Sequence, residues 1–303
     1  MNRPPAALMD RLAAQLGEHS GDAVELGGGI TNRNYRVRLG GVDYVVRVTS
    51  PESSLLGIDR RAEHAAAVAA AALGVAPRVA AFLEDVECLV TEFLSGRPLP
   101  PEELREPGRL AAVARTVRAV HDGPPFPATF DAFEIVETYA RTALARGALL
   151  PSGLAGARRV AGEIGLALNG PEHAPVPCHN DLLNANFILD GTGVRIVDWE
   201  YAGMGNRYFD LGNLSINNGL GEEEDEWLLA AYFGAPCTEH RFACLRLMRI
   251  MSDYREAMWG VVQGSVATLA FDYAEYAAHH FARLEASASD PRYRTWLRLA
   301  HAG

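Results

Sequence analysis

Short stretches of alternating apolar and polar residues dominate the first ninety positions of the chain. Residues 35–39 and 42–48 alternate with a period of two on either side of a Gly-Gly pair, which is typical of a β-hairpin. An alanine-rich stretch at 59–73 is followed by a glycine and predicts a helix. The remaining stretches predict a short helix at 6–16 and strands at 24–26, 79–83 and 88–91. This order of elements predicts an antiparallel sheet with one helix packed against it.

From residue 98 onward, the apolar positions follow the period of a helix. Residues 102–121 carry leucine and valine at helical spacing, and the chain from residue 222 to its end returns to the same pattern. Between these helical regions, apolar runs at 186–189 and 194–197 flank the sequence Asp-Gly-Thr-Gly. Because this sequence favours a tight turn, the two runs predict a second β-hairpin.

The length and the composition are those of a globular protein with room for two lobes. The chain has 303 residues, of which 49% are hydrophobic and 22% are charged. These values exclude collagen-like, disordered and small disulfide-stabilised proteins. The composition changes near residue 95, so we expect an α+β fold with an N-terminal lobe over residues 1–95 and a mainly helical C-terminal lobe over residues 96–303.

The charge of the chain restricts its partners. It has 28 basic and 38 acidic residues, a net charge of -10, which disfavours binding to nucleic acid and to anionic membranes and tolerates a cationic ligand. The sequence contains no lysine. Any contact with phosphate that other proteins make through lysine must therefore come from arginine, whose planar guanidinium differs from a point charge.

The cysteines and the apolar runs give expectations about the cellular compartment. Four cysteines, Cys88, Cys178, Cys237 and Cys244, are scattered without a CxxC pair, which argues against a zinc site and against a disulfide framework. The N-terminus has no apolar segment of signal-peptide length, and the longest apolar run is too short to cross a bilayer. We therefore expect a soluble cytoplasmic protein; the sequence gives no indication of its oligomeric state.

Candidate chemistry is concentrated in residues 179–186, His-Asn-Asp-Leu-Leu-Asn-Ala-Asn, and in Asp198-Trp-Glu at 198–200. Phosphoryl transfer requires a carboxylate that holds the acceptor hydroxyl and oxygen ligands that hold Mg²⁺. Asp181 can face the acceptor, while Asn186 and Asp198 face the metal. The alternative is that Asp181 and Asn186 are turn residues and Asp198 is a helix cap. We expect His179 to brace the loop structurally.

The pattern HxDxxxxN, followed by an apolar hairpin and DWE, resembles the catalytic segment of the aminoglycoside phosphotransferase and choline kinase superfamily, whose members are relatives of the protein kinases. The resemblance implies a two-lobed protein-kinase-like fold that binds ATP and Mg²⁺ between its lobes. It also implies a nucleotide-binding loop at 27–34 and a strand cation paired with a helix carboxylate. The nucleotide-binding residues implied in this way are Asn32, Val45, Arg47, Glu63, Glu92 and Leu94. The alternatives are a plain hairpin turn for the glycines, an exposed strand arginine, and a solvated helix glutamate.

The acceptor is indicated by the segment from Asp198 to Asn213, which resembles choline and ethanolamine kinases in particular. A quaternary ammonium is held by aromatic faces, each of which contributes roughly 0.5–2 kcal/mol. Tyr201, Trp259 and Phe271 are the candidate rings, and Glu200 and Asp181 are the candidate charges. Core packing is the alternative role for Trp259 and Phe271.

One position departs from the family pattern and keeps other acceptors open. Glu256 stands where eukaryotic choline kinases carry a second tryptophan, and a glutamate could hydrogen-bond a primary ammonium, as in ethanolamine. We expect transfer of the ATP γ-phosphoryl group to a small cationic alcohol, most simply choline. The alternatives are ethanolamine, thiamine, an aminoglycoside or another natural product as the acceptor, and a nucleotide-binding pseudokinase.

Overall fold

A computed structural model describes residues 3–27, 32–49, 55–266 and 271–301. The N-terminal part contains helix α1 (Ala6–Leu16), strands β1 (His19–Leu26), β2 (Asn32–Leu39) and β3 (Val42–Thr49), helix α2 (Arg60–Ala72), and strands β4 (Val79–Leu83) and β5 (Cys88–Glu92). The five strands form one antiparallel sheet in the order β1-β2-β3-β5-β4. The predicted order of elements is confirmed, and β1 extends five residues further toward the N-terminus than the apolar pattern predicts.

The two faces of this sheet have different roles. Residues such as Val37, Val46 and Val90 form a buried cluster with Leu8 and Leu12 of α1. Because side chains alternate along a strand, the neighbouring positions on β3 point to the opposite face, toward α2. The structure therefore has a helix on each face of the sheet, where the sequence predicted one. The face opposite α1 lines the cleft that is described below.

The second part is mainly helical. Its elements are β6 (Arg97–Pro98), α3 (Pro101–Leu104), α4 (Pro107–His121), α5 (Ala132–Ala145), α6 (Leu154–Ala167), β7 (Val176–Cys178), β8 (Phe187–Asp190), β9 (Gly193–Ile196), β10 (Gly203–Gly205), α7 (Arg207–Asn217), α8 (Glu222–Phe233), α9 (Glu239–Val266), α10 (Tyr273–Ala288) and α11 (Tyr293–His301). The hairpin β8–β9 is confirmed. The predicted helix over 102–121 is two helices, because Pro107 places Glu106 in an extended conformation.

Helix α9 is the centre of the second part, and α5, α7, α10 and α11 pack around it. Its contact with α7 is unusually close at Gly212, where a Cβ atom would lie 2.7 Å from the carbonyl carbon of Met248. Only glycine allows this approach. It brings the side chains of α7 under the loop that follows β7. The α+β fold that the sequence predicts is thus the fold of this chain. In the residues that the structure describes, no helix is both long and apolar enough to cross a membrane.

Candidate active site

The loop after β7 is held in place by one buried carboxylate of α7. Asp210 accepts hydrogen bonds from the backbone N–H of His179 at 2.8 Å and of Asn180 at 2.6 Å. Its Oδ2 also lies 3.0 Å from Nε2 of His121. Asn180 has a φ of 66°, a left-handed conformation that an asparagine tolerates better than most residues. Asp210 therefore fixes the position from which Asp181 projects, and the sequence analysis did not identify it.

His179 braces the same loop through both ring nitrogens. Its Nδ1 accepts a hydrogen bond from the backbone N–H of Asp181 at 3.2 Å, so Nε2 carries the proton and donates to the carbonyl of Val197 at 3.0 Å. Burial lowers the pKa of His179, which favours this neutral form. The ring thus connects the loop to the end of β9 and has no free nitrogen for proton transfer.

The carboxylate of Asp181 lies beside a buried arginine that the sequence analysis missed. Nη1 of Arg255 is 3.2 Å from Oδ1 of Asp181 and 2.7 Å from Oε1 of Glu256. Burial raises the pKa of Asp181 to about 7; the carboxylate of Glu256 adds to this effect and Arg255 opposes it. A carboxyl group with such a pKa is suited to exchange a proton near neutral pH. The sequence gives little signal for this pair, because Arg255 and Glu256 stand in a helix that carries other charged residues such as Arg249 and Asp253.

A cavity of about 380 Å³ lies between the sheet and the β8–β9 hairpin. It is lined by Val45, Arg47, Glu63, Glu92, Leu94, Asn186 and Asp198, so seven of the predicted site residues share one cleft. Val45 and Arg47 are on the same face of β3, as their alternation predicts. The segment 28–31 of the predicted nucleotide loop lies outside the described residues.

Arg47 is the cation of this cleft. Its Nη1 is 2.5 Å from Oε1 of Glu63 and 2.9 Å from Oδ1 of Asp198. Burial alone would lower the pKa of Arg47, but the neighbouring carboxylates outweigh it and raise the pKa overall. The guanidinium is therefore positively charged and is fixed by partners from helix α2 and from the end of β9.

Asn186 and Asp198 present oxygen atoms that suit Mg²⁺. The amide Nδ2 of Asn186 donates to the carbonyl of Asp181 at 2.8 Å, which leaves its Oδ1 as the amide oxygen for another partner. Asp198 follows β9 with a φ of 68°, and its side chain lines the same cleft. One carboxylate oxygen and one amide oxygen on the wall of the same cavity are the ligand types that Mg²⁺ prefers.

Two predicted residues belong to a buried network between the two parts of the fold. Asn32 donates from Nδ2 to Oε2 of Glu200 at 2.7 Å and accepts at Oδ1 from Arg60 at 2.8 Å. Arg60 also lies 3.2 Å from Glu200. Burial, together with the carboxylate of Asp198, raises the pKa of Glu200. These contacts engage both amide atoms of Asn32, and they connect Glu200 to the start of helix α2.

The predicted rings do come together near Asp181. Nε1 of Trp259 donates to the hydroxyl of Tyr201 at 3.1 Å, and the ring centroids of Trp259 and Tyr276 are 5.6 Å apart. Phe271 is 43% exposed, and its ring centroid is 5.8 Å from that of Tyr276. We call Tyr201, Trp259, Phe271 and Tyr276 the aromatic recess. Tyr201 and Trp259 are also part of the main hydrophobic core, so the core-packing alternative describes their burial as well.

Two polar features adjoin the aromatic recess. The hydroxyl of Tyr276 donates to Oε2 of Glu256 at 2.9 Å, and Cζ of Arg255 lies 4.4 Å from the centroid of the Tyr201 ring. The sequence analysis missed Tyr276 and Arg255. The ring faces and the Glu256 carboxylate attract a small cation, whereas the Arg255 guanidinium opposes one and offsets part of this attraction.

Comparisons with known proteins agree with this geometry. The model of the phosphotransferase enzyme family matches residues 22–247. Ethanolamine kinase 2 from Mus musculus is 28% identical over 269 residues, which cover 78% of this chain and 68% of that protein. A choline/ethanolamine kinase family protein from Mesorhizobium loti is 30% identical with a TM-score of 0.84, covering 98% of this chain and 99% of its own. The choline kinase LicA from Streptococcus pneumoniae is 21% identical with a TM-score of 0.78, covering 93% and 97%, and supports the fold.

Proposed function

Because the chain belongs to the phosphotransferase enzyme family, within which it is related to choline and ethanolamine kinases, it is an ATP-dependent phosphotransferase, and we propose that its acceptor is the hydroxyl of a small cationic amino alcohol, choline in the first place. The observation that carries this proposal is the position of Asp181 between two sites. Asn186, which donates to its carbonyl, lines the cleft with Arg47, and Arg255 connects its carboxylate to the aromatic recess.

Nucleotide binding is assigned to the cleft. In this proposal Val45 packs against the adenine, while the carbonyl of Glu92 and the N–H of Leu94 fix its orientation. Arg47, held by Glu63, neutralises the phosphates. Asn186 and Asp198 would hold Mg²⁺, which when bound neutralises charge on the transferred phosphoryl group. The buried network of Asn32 and Glu200 holds the sheet in a fixed position against the second lobe, and it does not contact the acceptor.

Transfer itself depends on Asp181. Its carboxylate orients the acceptor hydroxyl and accepts the hydroxyl proton as the oxygen attacks the γ-phosphorus. The bond between the γ-phosphorus and the bridging oxygen breaks, and ADP leaves with its electron pair. The acceptor's ammonium group lies against the aromatic recess, with Trp259 as the central ring. Such a site works by alignment and charge stabilisation and needs no covalent intermediate.

Ethanolamine is the second candidate acceptor, and Glu256 favours it. The carboxylate at this position is bound to Tyr276 at the edge of the recess. A primary ammonium can donate hydrogen bonds to a carboxylate, whereas a quaternary ammonium has no N–H and depends on ring faces.

The test is ADP formation by the full chain with choline, ethanolamine, thiamine, an aminoglycoside and a sugar. We expect the kcat/KM for one amino alcohol to exceed that for the other three classes by at least about 100-fold. Asp198→Ala should abolish turnover and keep the circular dichroism spectrum, while Asp122→Ala, a 55% exposed matched control, should retain turnover. Nucleotide binding without turnover in the wild-type protein would indicate a pseudokinase, and preference for the aminoglycoside would refute the amino-alcohol assignment.

A further inference from the structure

A second cluster of potential ligands lies away from the active site, where a short turn at Pro171–His173 meets the first two turns of α9. The side chains of His173, His240 and Cys244 each place a nitrogen or sulfur atom within 4.8 Å of the others. Sγ of Cys244 is 3.6 Å from Nε2 of His240, and Oε2 of Glu172 is 2.8 Å from the same nitrogen. The side chains of His173, His240 and Cys244 therefore surround one point, and the Glu172 carboxylate lies beside it, next to His240.

The hydrogen bonds of His240 indicate that a cation belongs there. Its Nδ1 lies 2.9 Å from the backbone carbonyl of Leu299, which can only accept, so Nδ1 carries a proton. In the neutral ring, the lone pair of Nε2 then faces the Glu172 carboxylate, and two acceptors face each other without a donor. Either a second proton on the ring or a metal ion between the two groups resolves this repulsion. A histidine that donates one N–H to a carbonyl and directs the other nitrogen to a metal is the usual arrangement at metal sites.

The spacing of the atoms favours a tetrahedral ion. Zn–S and Zn–N bonds of about 2.3 Å and 2.05 Å at a tetrahedral angle put sulfur and nitrogen about 3.6 Å apart. The separation of Cys244 Sγ and His240 Nε2 already has this value. The separation of Glu172 and His240 has to widen by about 0.5 Å, which the half-exposed Glu172 side chain permits. His173 is the third nitrogen or sulfur ligand; its Nδ1 accepts a hydrogen bond from Nδ2 of Asn206 at 3.3 Å, so this contact must break when either ring nitrogen binds the ion.

We propose that His173, His240, Cys244 and Glu172 bind one Zn²⁺ ion. A thiolate and two imidazoles suit a borderline-soft cation, in contrast to the hard-oxygen ligands of the active-site cleft. Burial raises the pKa of the Cys244 thiol to about 12, so binding releases its proton to solvent as the Zn–S bond forms. The absence of a CxxC pair argued against zinc, but the ligands of this site come from two segments 67 positions apart and from one helical turn, a pattern that a search for CxxC cannot detect.

The ion would connect two elements that serve the active site. The turn at Pro171–His173 leads into β7 and the loop of Asp181, while α9 carries Arg255, Glu256 and Trp259 further along. Bonds from the ion to the turn and to the start of α9 would fix the position of the turn relative to the helix. The role is structural, so the test does not depend on kinase activity or on the proposed acceptor.

The test uses tag-free, chelator-treated full-length protein titrated with Co²⁺ and then Zn²⁺, without nucleotide. We expect one Co²⁺ per chain with a near-ultraviolet thiolate charge-transfer band, displacement by Zn²⁺, and a higher Tm with Zn²⁺. Cys244→Ser should remove the charge-transfer band and weaken Zn²⁺ binding at least about 100-fold, as should His240→Gln. Cys237→Ser, a nearby half-buried cysteine outside the cluster, is the matched control and should bind as the wild type does.

Several results would overturn the proposal. These are the lack of a charge-transfer band in the wild-type protein, an equal band in Cys244→Ser, or its loss in Cys237→Ser alone. The wild-type titration requires no variant, so a misfolded Cys244→Ser protein would not prevent a decision. Unchanged Tm and no Zn²⁺ binding at about 1 μM would leave His240 and Glu172 as an imidazolium–carboxylate pair.

Discussion

Replacing Arg255 by methionine is predicted to destabilise the protein strongly. Arg255 is 2% exposed, and its Nη1 is the shared partner of Asp181 and Glu256. Burial alone would lower the pKa of Arg255, but the two carboxylates raise it well above its usual value, so the guanidinium is charged. Methionine fills much of the same volume but leaves two carboxylates close together without a counter-charge.

The expected magnitude follows from the burial of this pair. Removing one partner of a buried ion pair costs about 3–5 kcal/mol of unfolding free energy. An exposed pair contributes only about 0–1 kcal/mol. Arg158 and Glu137, whose side chains are 46% and 35% exposed at a separation of 2.6 Å, form such an exposed pair on neighbouring helices. Arg158→Met is therefore the matched control, and the two variants should differ by at least about 2 kcal/mol.

Urea unfolding of the wild type, of the single variants Arg255→Met, Arg158→Met and Glu256→Gln, and of the double variant Arg255→Met/Glu256→Gln measures these differences. The double variant removes one of the two unpaired carboxylates, so we expect it to be more stable than the sum of the single effects by about 1–3 kcal/mol. If Arg255→Met loses no more stability than Arg158→Met, or if the double variant is strictly additive, the reasoning from the buried charges is wrong.

Three further predictions concern catalysis and are measured by steady-state kinetics with ATP and the preferred amino alcohol. Asp210→Asn should lower kcat about 100-fold, because the loop that carries Asp181 loses a carboxylate accepting two backbone N–H groups; an unchanged kcat would show that the loop holds its shape without it. Arg47→Met should raise the KM for ATP about 10- to 100-fold at a constant KM for the acceptor. A raised KM for the acceptor with an unchanged KM for ATP would show that Arg47 does not bind the nucleotide. Trp259→Ala should raise the KM for the acceptor about 3- to 30-fold, more than it lowers kcat; a normal KM with a reduced Tm would make Trp259 a core residue.

The sequence predicted the local elements well, because they depend on patterns in consecutive residues. Strand alternation placed Val45 and Arg47 on one face, and the two motifs singled out Asn186 and Asp198, which line the same cleft. The boundary between the lobes near residue 95 and the roles of the individual site residues stay predictions.

The sequence could not reveal which distant residues complete the site. Arg255 meets Asp181 across 74 positions, and Asn32 meets Glu200 across 168. A polar or charged residue has the same local pattern whether it faces solvent or a buried partner, so neither contact could be predicted. The contacts of Glu200 with Asn32 and Arg60 were therefore not foreseen, and its substrate-binding role stays a prediction.

Periodicity by itself thus determined the strands and helices of an α+β fold, and the resemblance of the motifs to a known superfamily indicated an ATP-dependent phosphotransferase. Only the tertiary structure decided what surrounds Asp181: the carboxylate of Asp210 beneath the loop, the guanidinium of Arg255 beside it, and the ring of Tyr276 at the recess. The physical reason is that a local pattern depends on neighbours along the chain, whereas burial and charge pairing depend on which helices pack together, and here α7 and α10 both pack against α9.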